Sequence, residues 1–434
     1  MPDRVPSISC DVTVIGGGLA GKAASLHLVR AGLKVVCIEP QRPVRPPVGE
    51  SLDWSAPDLL NKLGVSPDRL IEARIATWKR HVTLKMRDGC ETHYVPSAWL
   101  GGFPFYVNLA TLHVERTQLD DEILKMMVDQ GVTLVRDRVV DLETTDRKIR
   151  SVVTQEGARF SSPWLIDASG IGGSLVARKF NLPSLQYGPT KVGLWAYYRV
   201  KQQVEGTTLY MDPMPAEYLE WIWEIPVSPD TVSVGYVAPG AVLKAAREKG
   251  ETVEEVFERQ LMKFSRFEPL LQQGPLGAIN VTSFRCRVHL ESAGPNWLVA
   301  GEAASLVDPM TSNGVTAALR HAAEAAALIL KFRERGELPL RARRTYSRRI
   351  LQTAKFFNEG IEQIVYEPVV RNRIGLSSAG TAYTSPAWSM NVVYARLKPD
   401  GIFSTALLGA MLGLFRIAAS IVYRCCRMLK SSAA

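Results

Sequence analysis

Cysteines at metal-binding or redox spacing are absent from this sequence. Of its 434 residues six are cysteine (Cys10, Cys37, Cys90, Cys286, Cys425 and Cys426), and no two stand in a C-x-x-C arrangement. A zinc knuckle and a disulfide framework are therefore not indicated, and reduced thiols in a cytoplasm are the simplest expectation. Histidine is as scarce. His27, His81, His93, His113, His289 and His321 show no metal-ligand spacing, and none is assigned a role. Internal repeats and low-complexity tracts are missing. The opening stretch, MPDRVPSISCD, has no apolar core of a secretory signal. A long apolar run is missing too: Arg416 interrupts residues 402–423, leaving roughly 14 apolar residues where a bilayer needs about 20. On a helix Arg416, Ser420, Arg424 and Arg427 share one face. Residues 402–430 thus read as an amphipathic segment that lies on a membrane surface or on the protein's own body, and both remain open.

The balance that is present is basic, +9 with a sequence pI near 9.2, on an ordinary globular background of 46% hydrophobic and 22% charged residues. A chain this long suits two or three lobes. The positive balance suits binding of an anionic dinucleotide, with an acidic carrier protein or an acidic membrane surface as alternatives. No nucleic-acid reader motif is present, so that class of partner is not expected.

The residues that are there begin with chemistry. Asp11 to Ile15 reads as a buried parallel strand, Lys22 to Ala31 as a helix and Lys34 to Ile38 as a second strand. Between the first strand and the helix, Gly16, Gly18 and Gly21 fit G-x-G-x-x-G. Gly16 permits the turn, Gly18 lets a pyrophosphate approach the helix N-terminus, and Gly21 allows helix and strand to pack closely. Glu39 follows about 20 residues later, placed to accept from a ribose hydroxyl. Strand, glycines, helix and acid together predict dinucleotide binding. Thr111 to Gln130 is predicted helical, Ser151 to Thr154 a strand returning to this first domain, and 192–237 an antiparallel sheet of a second lobe.

Further segments resemble the aromatic-hydroxylase type of flavoprotein. They are Val114 to Asp120 with Arg116, Asp167-Ala168-Ser169-Gly170, and Trp297 to Pro309 with Gly301 and Glu302, the last standing where aspartate is usual. Within that group the sequence resembles the flavin-dependent halogenases. Trp221-Ile222-Trp223-Glu224-Ile225-Pro226 matches W-x-W-x-I-P, a pair of tryptophans taken to keep substrate away from the flavin. Ala76-Thr77-Trp78-Lys79 aligns with the segment carrying the active-site lysine. Leu306 to Gly314 fits F-x-x-P-x-x-S-x-G at Pro309, Ser312 and Gly314, with Leu306 standing where phenylalanine is usual. Val48-Gly49-Glu50-Ser51 matches a loop near the flavin.

The resemblance implies an α/β fold: a Rossmann-type FAD-binding domain of the glutathione-reductase-like kind, an antiparallel β-sheet substrate domain and a helical C-terminal region. The expected boundaries are 1–80, 106–185 and 286–335 for the FAD domain, 81–105 for a hairpin of the substrate lobe, 186–285 for the sheet domain and 336–434 for the helical region. It implies FAD, reduced to FADH2 and reacting with O2 to give a C4a-hydroperoxide and, with chloride or bromide, hypohalous acid. Lys79 and Ser312 are then the catalytic candidates. Gly16, Gly18, Gly21, Glu39, Glu50, Arg116, Asp167, Gly301, Glu302, Pro309 and Gly314 are the cofactor-binding candidates. Trp221, Trp223, Ile225 and Pro226 line the substrate tunnel. Tryptophan-specific halogenases carry a glutamate where this chain has Met310, Thr311 and Ser312. That points to a phenol, pyrrole, indole or carrier-bound aromatic as substrate. No second G-x-G-x-x-G for NAD(P)H is present, which is compatible with a separate flavin reductase as partner. A flavin hydroxylase acting on an aromatic group, including one on a peptide or protein as in quinone-cofactor maturation, and an isoprenoid-chain reductase are the alternatives.

Overall fold

The computed structural model describes residues 7–40, 46–87, 89–96, 110–201, 205–212 and 218–374, with residues 410, 413, 414, 417, 418, 420–425 and 428 beyond them. Most of the amphipathic segment at 402–430 lies outside the described residues. Among the described residues no helix is long and apolar enough to cross a membrane.

The first strand, Val12–Ile15, sits centrally in a five-stranded parallel sheet, ordered Trp297–Val299, Trp164–Asp167, Val12–Ile15, Val35–Ile38, Thr133–Val135. Every residue of Val12–Ile15 and Val35–Ile38 is buried, as a parallel sheet covered on both faces requires. The helix Leu19–Arg30 packs on it and on the helix Gly314–Phe332. A small four-stranded sheet, Ser7–Ser9, Arg159–Ser161, Lys148–Thr154 and Val139–Thr145, lies apart from it. The strand expected at Ser151 to Thr154 is the second half of Lys148–Thr154 in this small sheet. It pairs antiparallel on both sides, which the sequence pattern of a short strand does not reveal.

The second lobe is an eight-stranded sheet. Its order is Ser305–Leu306, Asn280–His289, Ser184–Arg199, Thr231–Pro239, Glu220–Ser228, Thr207–Asp212, Val82–Met86, Glu91–Tyr94. Side chains alternate between its faces. Trp195, Trp221, Trp223 and Ile225 join the core shared with the parallel sheet. Leu194, Ile222, Val234 and Tyr236 join a separate core under the helices Gly240–Glu248 and Val253–Leu261. Pro226 is tolerated inside a central strand because the pairing shifts register between Pro226 and Ser228.

The predicted helix at Thr111 to Gln130 is shorter than expected. Thr111–Val114 is a strand paired with Ala76–Lys79, and the helix is Arg116–Asp129. Glu115 accepts from the amides of Thr117 and Gln118 at 3.0 Å and caps the helix start, while Thr111 and Val114 favour the strand before it. C-terminal to the second lobe, the 21-residue helix Leu340–Gly360 runs into a π-helical turn, Ile361–Tyr366.

Candidate active site

The glycines behave as their spacing demands. Gly16 has φ of +95°, and a Cβ there would lie 2.3 Å from the Ala168 carbonyl oxygen. A Cβ on Gly21 would lie 1.8 Å from the Gly16 carbonyl oxygen, whereas nothing comes within 4 Å of one on Gly18. The backbone at Gly18 is open where a pyrophosphate would approach. Glu39 accepts from the Gly17 amide at 2.5 Å, which fixes the carboxylate beside the turn. Gly301 has φ of +62°, and its missing Cβ admits Ala20 of the glycine-motif helix. Glu302 is exposed beside it, and Arg287 donates to its carbonyl at 3.4 Å. Arg116 donates to the carbonyls of Val48 and Gly49 at 2.6 and 3.2 Å, yet its buried Nε has no partner among the described residues. Such an orphaned buried donor fits an anionic group bound beside it.

Two cofactor candidates are committed elsewhere. Asp167 is fully buried. Its oxygens accept from the Ser169 amide and hydroxyl, the Ser174 hydroxyl and the Val176 amide, between 2.6 and 3.1 Å. Its carboxylate thus braces the turn that follows. Glu50 is likewise turned into the sheet. Tyr197 donates to it at 2.6 Å and Ser233 at 2.9 Å. Burial pushes its carboxyl up to about 7, with those two hydrogen bonds pulling the other way.

Lys79 and Ser312, far apart in sequence, meet. Lys79 ends its strand with no exposed surface. Its ammonium donates to the Ser51 hydroxyl and the Leu52 carbonyl, both at 2.9 Å, and reaches the Ser312 hydroxyl at 3.5 Å. It lies 4.7 Å over the Trp54 ring. Burial lowers its pKa to about 7, opposed by the charge of Asp53. Ser312 closes a short turn, Pro309–Thr311, whose start Asp308 caps by accepting from the Met310 amide at 3.0 Å. Its φ is +56°, a left-handed conformation a serine adopts only when its surroundings enforce it. Asn313 then donates to Asp53 at 3.2 Å, tying this turn to the 51–55 loop, and Gly314 starts the long helix. The arrangement sets one buried amine of near-neutral pKa against a hydroxyl, at the mouth of a helix N-terminus.

The tryptophan motif borders this group. Trp221 and Trp223 share a face with ring centroids 6.0 Å apart. Trp221 donates to Tyr366 at 2.9 Å and Trp223 to Ser233 at 3.1 Å. Ile225 is buried beside them, and the Pro226 carbonyl accepts from Thr77 of the lysine strand. Trp223 lies across Gly235, where a Cβ would come within 2.1 Å of its ring. Gly235→Ala is therefore expected to displace the indole and destabilise the fold by about 1–3 kcal/mol. Denaturant melts check this, and an unchanged midpoint would show that the ring is not pinned there.

Sequence reasoning missed two groups. Lys191, buried, donates to Asp308 and Glu362 at 2.7 Å each and faces the Tyr366 ring at 4.0 Å. Tyr218 donates to Glu362 at 2.9 Å. Burial works against the charge on Lys191, but Asp308, Tyr366, Cys286 and Glu362 together raise its pKa well above the usual range. His113, given no role on its sequence, is fully buried between Thr77 and Thr207. Its position in a strand two residues before Glu115 offered no signal beyond the alternation of that strand.

Comparison with known proteins follows the same lines. A family model described as "Lycopene cyclase protein" matches residues 11–234. A tryptophan 2-halogenase of Chondromyces crocatus is 25% identical over 338 residues, 75% of this chain and 62% of that protein, so the chain spans less than two thirds of that relative. A 1H-pyrrole-2-carbonyl-[peptidyl-carrier protein] brominase of Pseudoalteromonas luteoviolacea is 25% identical over 326 residues, 73% of this chain and 76% of that protein. Among solved structures, a triple mutant of the flavin-dependent brominase Bmp2 superposes with a TM-score of 0.73 at 21% identity, covering 94% of this chain and 99% of that one.

Proposed function

Starting from a chain that belongs to the lycopene cyclase protein family of FAD-binding proteins and has flavin-dependent halogenases as its relatives, we propose that it halogenates an electron-rich aromatic substrate. The observation that carries this reading is the meeting of Lys79 with Ser312, beside the two buried tryptophans. Bound FAD, once reduced, supplies with dioxygen the oxidation of chloride or bromide to hypohalous acid. The chain's residues do the rest. Gly16, Gly18 and Gly21 open the pyrophosphate site, and the Arg116 guanidinium offers the cofactor a further buried donor. Lys79 holds the oxidant by hydrogen bonding and presents it to the ring. Trp221 and Trp223 close the direct route between substrate and cofactor, so the oxidant and not the flavin meets the aromatic carbon. Phenols, pyrroles, indoles and their carrier-bound forms are the substrate class, the last supported by the carrier-protein brominase among the relatives. A separate flavin reductase supplies the reduced cofactor.

The test is intact-mass analysis of phenol, indole and pyrrole panels, free and carrier-bound, with FAD, a flavin reductase and NADH, in chloride, bromide or no halide. Mass gains that follow the halide supplied are expected. A gain of one oxygen without halide would replace this reading with hydroxylation.

A further inference from the structure

We propose that His113 is a positioning residue for Lys79, acting through Thr207 and Ser51. The inference rests on the reading of Lys79 given above for its catalytic meaning, but its geometry stands alone. His113 is fully buried, and both ring nitrogens are engaged: Nδ1 lies 3.2 Å from the Thr77 hydroxyl and Nε2 lies 2.8 Å from the Thr207 hydroxyl. Thr207 lies 2.9 Å from the Ser51 hydroxyl, and Ser51 lies 2.9 Å from Nζ of Lys79.

The direction of every bond in this row can be deduced, because a hydroxyl has one proton to give. Thr77 gives its proton to the Pro226 carbonyl. It must therefore accept from His113, so Nδ1 carries the ring proton. Burial, with the nearby charges of Lys79 and His81, keeps the ring neutral, so Nε2 is bare and accepts from Thr207. Thr207, its proton spent, accepts from Ser51. Ser51 in turn has nothing left to donate and accepts from Lys79. Ser312, 3.4 Å from the Ser51 hydroxyl, also donates there or remains free to turn.

The consequence falls on the lysine. Toward Ser51 and toward the Leu52 carbonyl, Nζ can only donate. Two of its tetrahedral positions are fixed in either protonation state. The third, an N–H in the ammonium and a lone pair in the amine, points to the Ser312 side in both. The row from Pro226 to Ser51 thus gives Lys79 a single working direction. The ionisable groups that bear on it are few: Asp53 faces Lys79, His81 and Lys79 face His113, and Glu50, next to Ser51, is turned away toward Tyr197 and Ser233.

Two measurements test this. In protein carrying ring-labelled histidine, side-chain NMR, with His113 identified by its loss in His113→Asn, should show a neutral ring protonated on Nδ1 throughout the neutral pH range. An Nε2–H ring or an imidazolium would overturn the proposal, whatever the enzyme makes. In turnover, Thr207→Val breaks the row without changing side-chain shape much. It should lower kcat about tenfold or more with KM little changed and displace the limb of the pH profile that belongs to Lys79, and Thr207→Ser should restore both. Valine and serine variants that match the parent, or that fail alike, would also overturn it. Failure of halogenation itself leaves the NMR result untouched, so the two readings fall separately.

Discussion

Lys79→Met is expected to remove halide-dependent product by about 10³-fold or more and, at the same time, to melt higher than the parent protein at slightly acidic pH. The first half follows from the proposed role of the amine. The second follows from its burial. A lysine in water titrates near 10.5, whereas burial lowers Lys79 to about 7. Between those values the unfolded chain binds more protons than the folded one, so stability rises with pH across the window. Below about 7 both states hold the proton and the fold carries the whole cost of a buried cation, at most about 5 kcal/mol. Above 10.5 that cost is gone. Methionine never bears it and packs against Trp54 through sulfur. Ser51 and the Leu52 carbonyl lose a donor, which takes back part of the gain, leaving about 1–3 kcal/mol in favour of the variant near pH 6. Calorimetric scans from pH 6 to about pH 10 should show the advantage shrinking with pH. A variant that keeps its product, or whose stability deficit is the same at every pH, would contradict the assignment of Lys79 as a buried working amine.

The second large effect is expected at Lys191. Lys191→Met leaves the buried Asp308 and the half-buried Glu362 without the cation between them, at a cost of about 3–5 kcal/mol. The loss should be read as a lowered urea midpoint at neutral pH. Burial already raises the Glu362 carboxyl above its ordinary range, and Lys191 pulls it the other way; without the lysine Glu362 holds its proton more tightly when folded than when unfolded, so the deficit should shrink as pH falls. Adding Asp308→Asn and Glu362→Gln should recover most of it, since three neutral groups of the same shape remain. An Lys191→Met variant as stable as the parent, with no slope against pH, would show that the cluster is not held by its charge. The effect reaches the site as well, because Asp308 caps the turn that places Ser312.

The parts legible in the sequence are those fixed by local backbone demands. The glycine turn, with Glu39 beside it, could be read because no other residue fits φ of +95° at Gly16 or the contact at Gly21. The faces of the Glu220–Ser228 strand could be read because alternation is a property of the strand itself. Lys79 was legible only through family resemblance. By composition a lysine next to Arg80 reads as a solvated surface charge, and its burial comes from the 51–55 and 312–314 loops folding over it. A motif gives Asp167 and Glu50 as residues but not the direction of their side chains, so their bonds to Ser174 and Val176, and to Tyr197 and Ser233, were not legible. The Lys191 cluster and the His113 row were hidden for a different reason. Their members come from four or five separate segments, and each alone is an unremarkable polar residue in a strand or turn. The strand at Thr111–Val114 was taken for helix since its partner, Ala76–Lys79, is remote and pairing, not propensity, decided it.

Trp54 lies under the ammonium of Lys79 at 4.7 Å. An indole's excited state shifts electrons across its two rings, so its emission colour responds to a charge fixed at that range. The chain thereby carries an optical gauge beside its working amine: gain or loss of the lysine's proton, or its replacement by halogen, changes the field across a ring that needs no label to be seen.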